Sequence, residues 1–278
     1  MQSIKSTQWL FDHLHSDSLC VIDCRFSLKD PSYGEKVYQE NHIPGAVYFD
    51  LELDLSGPVK KHGGRHPLPN IQELVEKLEN KGVSHQDTII IYDDGDSSFA
   101  ARCWWLLTYL GHRQVFLLDG GINAWRENDY PLTNKPSIKK KAKFIPFLQT
   151  DMLATYEEVK QRSQDQQAIL IDSRTKERYL GIVEPLDRIG GHIPSALNYD
   201  WSEGLKNGRW KTLEEQKQRF DSLGSDDEVI VYCGSGVTAT PNVLALMESG
   251  FKKVKLYAGS YSDWVSYPEN PVVTTNKD

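Results

Sequence analysis

The 278-residue sequence predicts an α/β protein of two tandem domains, each a mainly parallel sheet with helices on both faces. Three observations predict it: an internal repeat, strands that are short and apolar throughout, and helical patterns that alternate with them. The repeat is carried by four blocks in the same order. Val21-Ile22-Asp23-Cys24-Arg25 echoes Leu170-Ile171-Asp172-Ser173-Arg174, and His42-Ile43-Pro44-Gly45-Ala46 echoes His192-Ile193-Pro194-Ser195-Ala196. Ile90-Ile91-Tyr92-Asp93 echoes Ile230-Val231-Tyr232-Cys233, and the run from Gly120 to Trp125 echoes that from Gly259 to Trp264.

The elements follow in order. Trp9, Leu10 and Leu14 predict a short helix before a strand at Leu19–Asp23. Asn70 as N-cap, with Glu73 behind it, starts a helix whose apolar face is Ile71, Leu74, Val75 and Leu78. A buried strand at Thr88–Tyr92 comes next, then a helix over 99–110 closed by Gly111, then a strand at Val115–Leu118. In the second half Thr155 and Glu158 predict a capping box, with strands at 168–172, Glu228–Tyr232 and 254–257. Between the halves, 133–150 carries five lysines with Pro136 and Pro146 and reads as a solvated linker. The domains are expected at 6–132 and 151–272.

Composition narrows the function. A net charge of −7 gives no basic footprint for nucleic acid, and no apolar run approaches the length of a membrane span. The amino-terminal residues mix charges through their apolar positions, unlike a signal peptide, so a soluble cytoplasmic protein is expected. Four cysteines are too few for a secreted disulfide framework. Cys20 and Cys24, at the two ends of one strand, would stand about 13 Å apart, too far for a bridge. With Cys103 they are expected to serve as small core residues.

The fourth cysteine opens Cys233-Gly234-Ser235-Gly236-Val237-Thr238-Ala239, between a strand and a helix with Pro241 in its first turn and Gly250 past its end. Ligands of open α/β sheets bind at such carboxyl strand ends. Glycines let the backbone curl around the cysteine with its N–H groups inward, an environment that favours an anionic, reactive sulfur. The plain alternative is a buried cysteine beside a tight turn. The duplicate position is Asp93, in Asp93-Asp94-Gly95-Asp96, where three acids are expected to repel an anion and leave that half inactive. Two chemistries use a cysteine in such a loop. A phosphatase needs an arginine at the position of Ala239, and the loop offers no other cation. What remains is passage of a sulfur atom through Cys233 as a persulfide, with no metal or organic cofactor.

On these blocks and the Cys233 loop, the chain resembles the two-domain rhodanese sulfurtransferases from about Ser6 to Trp264. The resemblance implies two rhodanese-like domains, catalysis in the carboxy-terminal one, and sulfur transfer to thiophilic acceptors such as cyanide or the thiols of thioredoxin. The loop is similar to that of the 3-mercaptopyruvate branch. The thiosulfate branch usually has Arg and Lys where this chain has the neutral Gly234 and Ser235. It also implies that Arg178 and Arg188 hold the donor, a carboxylate and its keto oxygen suiting a guanidinium. Gly234, Gly236, Val237 and Thr238 would line the bound donor. Ser235 is implied as a proton relay, with His66 in the place of the partner histidine and Glu52 or Asp54 as the acid. His42 and His192 recur in both halves and are expected to be fold elements, as is an Asp172–Arg174 ion pair. A thiosulfate:cyanide sulfurtransferase and a non-catalytic persulfide-binding module are the alternatives.

Overall fold

Short strands that are apolar on both faces must be covered on both faces, and the computed structural model, which describes residues 1–274, lays them out in that way. The chain forms two compact units. The first comprises 1–57, 68–149 and 206–210, and the second takes 58–67, 150–205 and 211–274.

The first unit contains β1 (Ile4–Lys5), α1 (Thr7–His13), β2 (Leu19–Asp23), α2 (Tyr33–Glu40), β3 (Ala46–Tyr48), α3 (Ile71–Asn80), β4 (Thr88–Tyr92), α4 (Ser98–Tyr109), β5 (Val115–Leu118) and α5 (Gly121–Glu127). Its strands pair in parallel in the order β1-β5-β4-β2-β3. The Asn70 side chain caps α3 by accepting from the N–H groups of Gln72 and Glu73. Of the expected apolar face, Leu74 and Leu78 are buried, whereas Ile71 and Val75 stay partly exposed.

The second unit contains α6 (Tyr156–Asp165), β6 (Ile169–Asp172), α7 (Lys176–Tyr179) and β7 (Leu197–Asn198). The chain then forms the short strands β8 (Leu205–Lys206) and β9 (Arg209–Trp210), of which 206–210 count with the first unit, and returns to the second for α8 (Leu213–Arg219), β10 (Glu228–Tyr232), α9 (Thr240–Glu248), β11 (Lys253–Leu256) and α10 (Ser260–Trp264). The parallel order is β11-β10-β6-β7, the counterpart of β5-β4-β2-β3. Among the described residues the place of the first unit's extra edge strand is taken by an isolated bridge, Leu153 to Leu256. The expected capping box at Thr155 is half made. Thr155 accepts from the Glu158 N–H, but the Glu158 carboxylate pairs with Lys255 on β11 instead of reaching back. A complete box forms at Thr212 and Glu215.

The two cores repeat each other. Val21, Ile43, Ala46, Ile90, Tyr92 and Trp125 pack together in the first, and Leu170, Ile193, Ala196, Ile230, Tyr232 and Trp264 in the second. The polar scaffold is copied too. Arg25 clamps Asp23 and Arg174 clamps Asp172, both at 2.6 Å, and all four side chains are buried. Tyr92 Oη accepts from the Ile43 N–H as Tyr232 Oη does from that of Ile193. His42 Nδ1 sits 2.7 Å from the Tyr38 carbonyl and His192 Nδ1 2.8 Å from that of Tyr179, which gives both histidines a structural occupation.

The lysine-rich stretch after Thr133 lies along the first unit rather than running free in solvent. Phe144 is buried, the Ala142 N–H donates to the Glu79 carbonyl, and the Phe147 N–H donates to that of Leu110. Phe144 alone anchors it by burial, while Ile138, Ile145 and Phe147 stay exposed with most of the lysines. Cys20, Cys24 and Cys103 are buried and unbridged.

Candidate active site

In the second unit β10 ends at Tyr232, and the chain turns through 233–239 before α9 begins. Gly236 has φ +77°, and a β-carbon there would stand 2.2 Å from the Ala258 carbonyl oxygen. Only glycine takes this turn at that approach. The result is that the Gly236 N–H points at Cys233 Sγ, 3.2 Å away. The loop is tied to the neighbouring turn by three bonds. Cys233 N–H donates to Ser260 Oγ (3.1 Å), Tyr261 N–H to the Cys233 carbonyl (3.0 Å), and Ser262 N–H to the Gly234 carbonyl (3.0 Å). Cys233 is buried, as is Val237, and the Val237 carbonyl accepts from the Thr240 hydroxyl at the start of α9. Thr238, next in the loop, is partly exposed.

Ser235 Oγ lies 2.9 Å from His66 Nδ1, and both residues are largely buried. His66 is held there by the segment 58–67, which belongs to this unit although it lies in the first half of the sequence. That segment is pinned on α10 and the turn after it: the Gly63 N–H donates to Asp263 Oδ1 (2.7 Å), the Arg65 N–H to Ser262 Oγ (3.2 Å), and His62 stacks on Tyr267. Of the two acids considered for His66, Asp54 is taken up by Lys77 and Lys81 and Glu52 is exposed.

Above Gly234 stand two guanidinium groups. A β-carbon at Gly234 would meet Arg65 Nη2 at 2.9 Å and Arg178 Nη2 at 3.3 Å. The loop itself carries no cation, as expected, and the fold brings two to it. Arg178 was among the expected residues; Arg65 was not, although the adjoining Gly63-Gly64 signals close backbone approach. Arg188 is exposed, and its guanidinium donates to the Val265 carbonyl. No contact among the described residues brings it to the loop.

The guanidinium groups are held by acids that sequence reading also missed. Arg178 donates to Glu184 through Nε and Nη2 and to Asp187 through Nη2, and Arg65 Nη1 is bonded to the same Asp187. Glu184 also takes Arg174 Nη1 at 3.0 Å, which links the arrangement to the buried Asp172–Arg174 pair. Burial works against ionisation of Glu184, but Arg178 and the N–H groups of Asp187 and Leu186 outweigh it and hold the carboxyl below its ordinary range. For Asp187 burial prevails over the arginines and moves the carboxyl up.

The first unit shows what became of the second loop. Asp93 occupies the position of Cys233, and its own carboxylate accepts the N–H groups of Gly95, Ser97, Phe99 and Ala100 at 2.9–3.1 Å. The acids there do not merely repel an anion, as expected from sequence. One of them fills the cradle, and burial together with Asp96 pushes its carboxyl up to about 7.

Comparison with known proteins agrees with the repeat. The rhodanese-like domain family matches residues 6–128 and 155–267. A probable 3-mercaptopyruvate sulfurtransferase of Pseudomonas aeruginosa is 44% identical over 275 residues, 97% of each chain. The thiosulfate sulfurtransferase of Mus musculus is 34% identical over 95% of this chain and 92% of its own. Among solved structures, SseA from Escherichia coli, described as a 3-mercaptopyruvate sulfurtransferase, superposes with a TM-score of 0.82 at 32% identity, covering 94% of this chain and 99% of that one.

Proposed function

The chain belongs to the rhodanese-like family, and from that premise we propose that it is a sulfurtransferase that moves sulfur from 3-mercaptopyruvate to a thiophilic acceptor through a persulfide on Cys233. The observation that carries this reading is the Gly236 N–H on Cys233 Sγ, at 3.2 Å, in a loop with two guanidinium groups above it. In the first half-reaction the Cys233 thiolate attacks the donor's sulfur. A sulfur–sulfur bond forms, the carbon–sulfur bond breaks, and the electron pair leaves on carbon as the enolate of pyruvate. The enolate takes its proton through the Ser235–His66 pair. In the second, a cyanide ion or a thiol such as that of thioredoxin removes the outer sulfur and frees the thiolate. Arg178 and Arg65 would receive the donor's carboxylate, while Gly234, Gly236, Val237 and Thr238 shape its seat.

In this reading 151–272 is the catalytic domain, completed by 58–67 with Arg65 and His66; the rest of 6–132 is the inactive repeat with Asp93 in the cysteine position, and 133–150 the connection. A cytoplasmic setting fits a thiol acceptor kept reduced. Among the described residues no helix is long and apolar enough to cross a membrane.

Thiosulfate as the preferred donor is the second reading, and the two guanidinium groups favour it, since a dianion is drawn to them. The test is transfer to cyanide from the two donors side by side. A kcat/KM ratio above about ten for 3-mercaptopyruvate, worth about 1.4 kcal/mol, supports the first reading, and a ratio favouring thiosulfate supports the second. Transfer that survived in Cys233→Ser would remove the persulfide mechanism. Absence of turnover with both donors would favour a persulfide-binding module.

A further inference from the structure

We infer that Asp187 sets the donor preference by cancelling positive charge over the Cys233 loop; this rests on the sulfur-transfer reading above. Asp187 is nearly inaccessible and bridges Arg65 and Arg178. Beside it Glu184 bridges Arg178 and Arg174, and Asp172 closes the row on Arg174. Arg65, Arg178 and Arg174 are thus matched one for one by Asp187, Glu184 and Asp172, and the cluster beside the loop has no formal net charge.

That balance matters because the two donors differ in charge as well as shape. A 2-keto carboxylic acid with a neutral thiol brings one negative charge, and thiosulfate brings two. Arg65 Nη2 and Arg178 Nη1, which make none of these ion pairs among the described residues, face Gly234. A planar carboxylate can therefore be received on those edges while Asp187 and Glu184 keep the opposite edges. A dianion entering the same place also meets the Asp187 carboxylate across a few ångströms of low-dielectric protein, where each extra charge is opposed. Charge at Gly234 and Ser235 is then only half of the selectivity. The guanidinium groups already stand where a loop arginine would project, and their acid partners decide how much of their charge a donor meets.

The experiment measures kcat/KM for thiosulfate and for 3-mercaptopyruvate in the full-length wild type, Asp187→Asn, Asp187→Glu and Arg65→Gln, with cyanide as acceptor. Asp187→Asn adds one positive charge at constant size, and the thiosulfate-to-mercaptopyruvate ratio should rise at least about tenfold. Asp187→Glu keeps the charge and should keep the ratio even if both rates fall. Arg65→Gln should move the ratio the other way. A merely structural role for Asp187 would lower both donors together and leave the ratio in place. An unchanged or falling ratio in Asp187→Asn overturns the inference while active wild type leaves the sulfur-transfer reading standing. Should Asp187→Asn not fold, a ratio that fails to fall in Arg65→Gln overturns it equally. Transfer retained in Cys233→Ser would take away both.

Discussion

Replacing Gly236 by alanine perturbs the site through one added methyl group. The residue has φ +77°, a region that costs an L-residue about 1–2 kcal/mol. Its β-carbon would lie 2.2 Å from the Ala258 oxygen and 2.9 and 3.0 Å from that residue's carbonyl carbon and Cα, all backbone atoms. Clearing them requires the loop or the β11–α10 connection to move by roughly 1 Å, overpacking that costs about 1–3 kcal/mol. Gly236→Ala should thus lose about 2–5 kcal/mol of stability. The same shift takes the Gly236 N–H off Cys233 Sγ, and loss of one oriented donor at a reacting atom lowers kcat by about 10²–10³-fold. Chemical denaturation and sulfur transfer to cyanide measure the two effects separately. Gly234→Ala is the control, because the nearest atoms to its β-carbon are the ends of the Arg65 and Arg178 side chains rather than backbone. It should fold normally and show its defect in KM for the donor. A Gly236→Ala protein with wild-type midpoint and wild-type kcat/KM would refute both the steric argument and the role given to the N–H.

Other outcomes follow from the same geometry. His66→Ala should lower kcat with 3-mercaptopyruvate by about 10²–10⁴-fold and largely spare thiosulfate, whose departing sulfite needs no proton on carbon; equal losses with both donors would make His66 structural. Glu184, held below its ordinary 4.5, contributes stability that is present above that value and is lost as pH falls through the lower folded value. Unfolding free energies of Glu184→Gln, followed from neutral pH down into the acid range, should lack that acid limb and start about 1–3 kcal/mol lower at neutral pH. Ser195 is exposed at φ +66°, where its repeat counterpart Gly45 has φ +79°. Ser195→Gly should stabilise the protein by about 0.5–1 kcal/mol, the relief of the left-handed conformation exceeding the entropy glycine adds to the unfolded chain. A lower melting temperature in calorimetry would contradict that balance.

Strands and repeat were legible because each depends on residues close in sequence. Leu19–Asp23 and Glu228–Tyr232 are apolar runs whose burial on both faces leaves little freedom of register, and they end where expected. The strand expected at 254–257 begins one residue earlier, at Lys253, because its start depends on pairing with Glu228 across the sheet. Likewise the Thr155 cap was visible locally, whereas the fate of the Glu158 carboxylate was decided by Lys255, nearly a hundred positions away.

The sequence by itself determined the doubled parallel sheets, the cysteine at the head of a glycine loop, and which repeat had lost that cysteine. Those features follow from hydrophobic period, glycine placement and the order of blocks, all of which act over a few residues. Only the tertiary structure decided what surrounds the sulfur. It set Arg65 beside Arg178 over Gly234, gave both to Asp187, turned Arg188 to Val265, brought His66 to Ser235, and folded Asp93 into its own cradle. Long polar side chains reach partners through space, and which of several arginines meets which carboxylate depends on the direction each backbone segment takes after folding. Spacing along the chain carries no record of that direction.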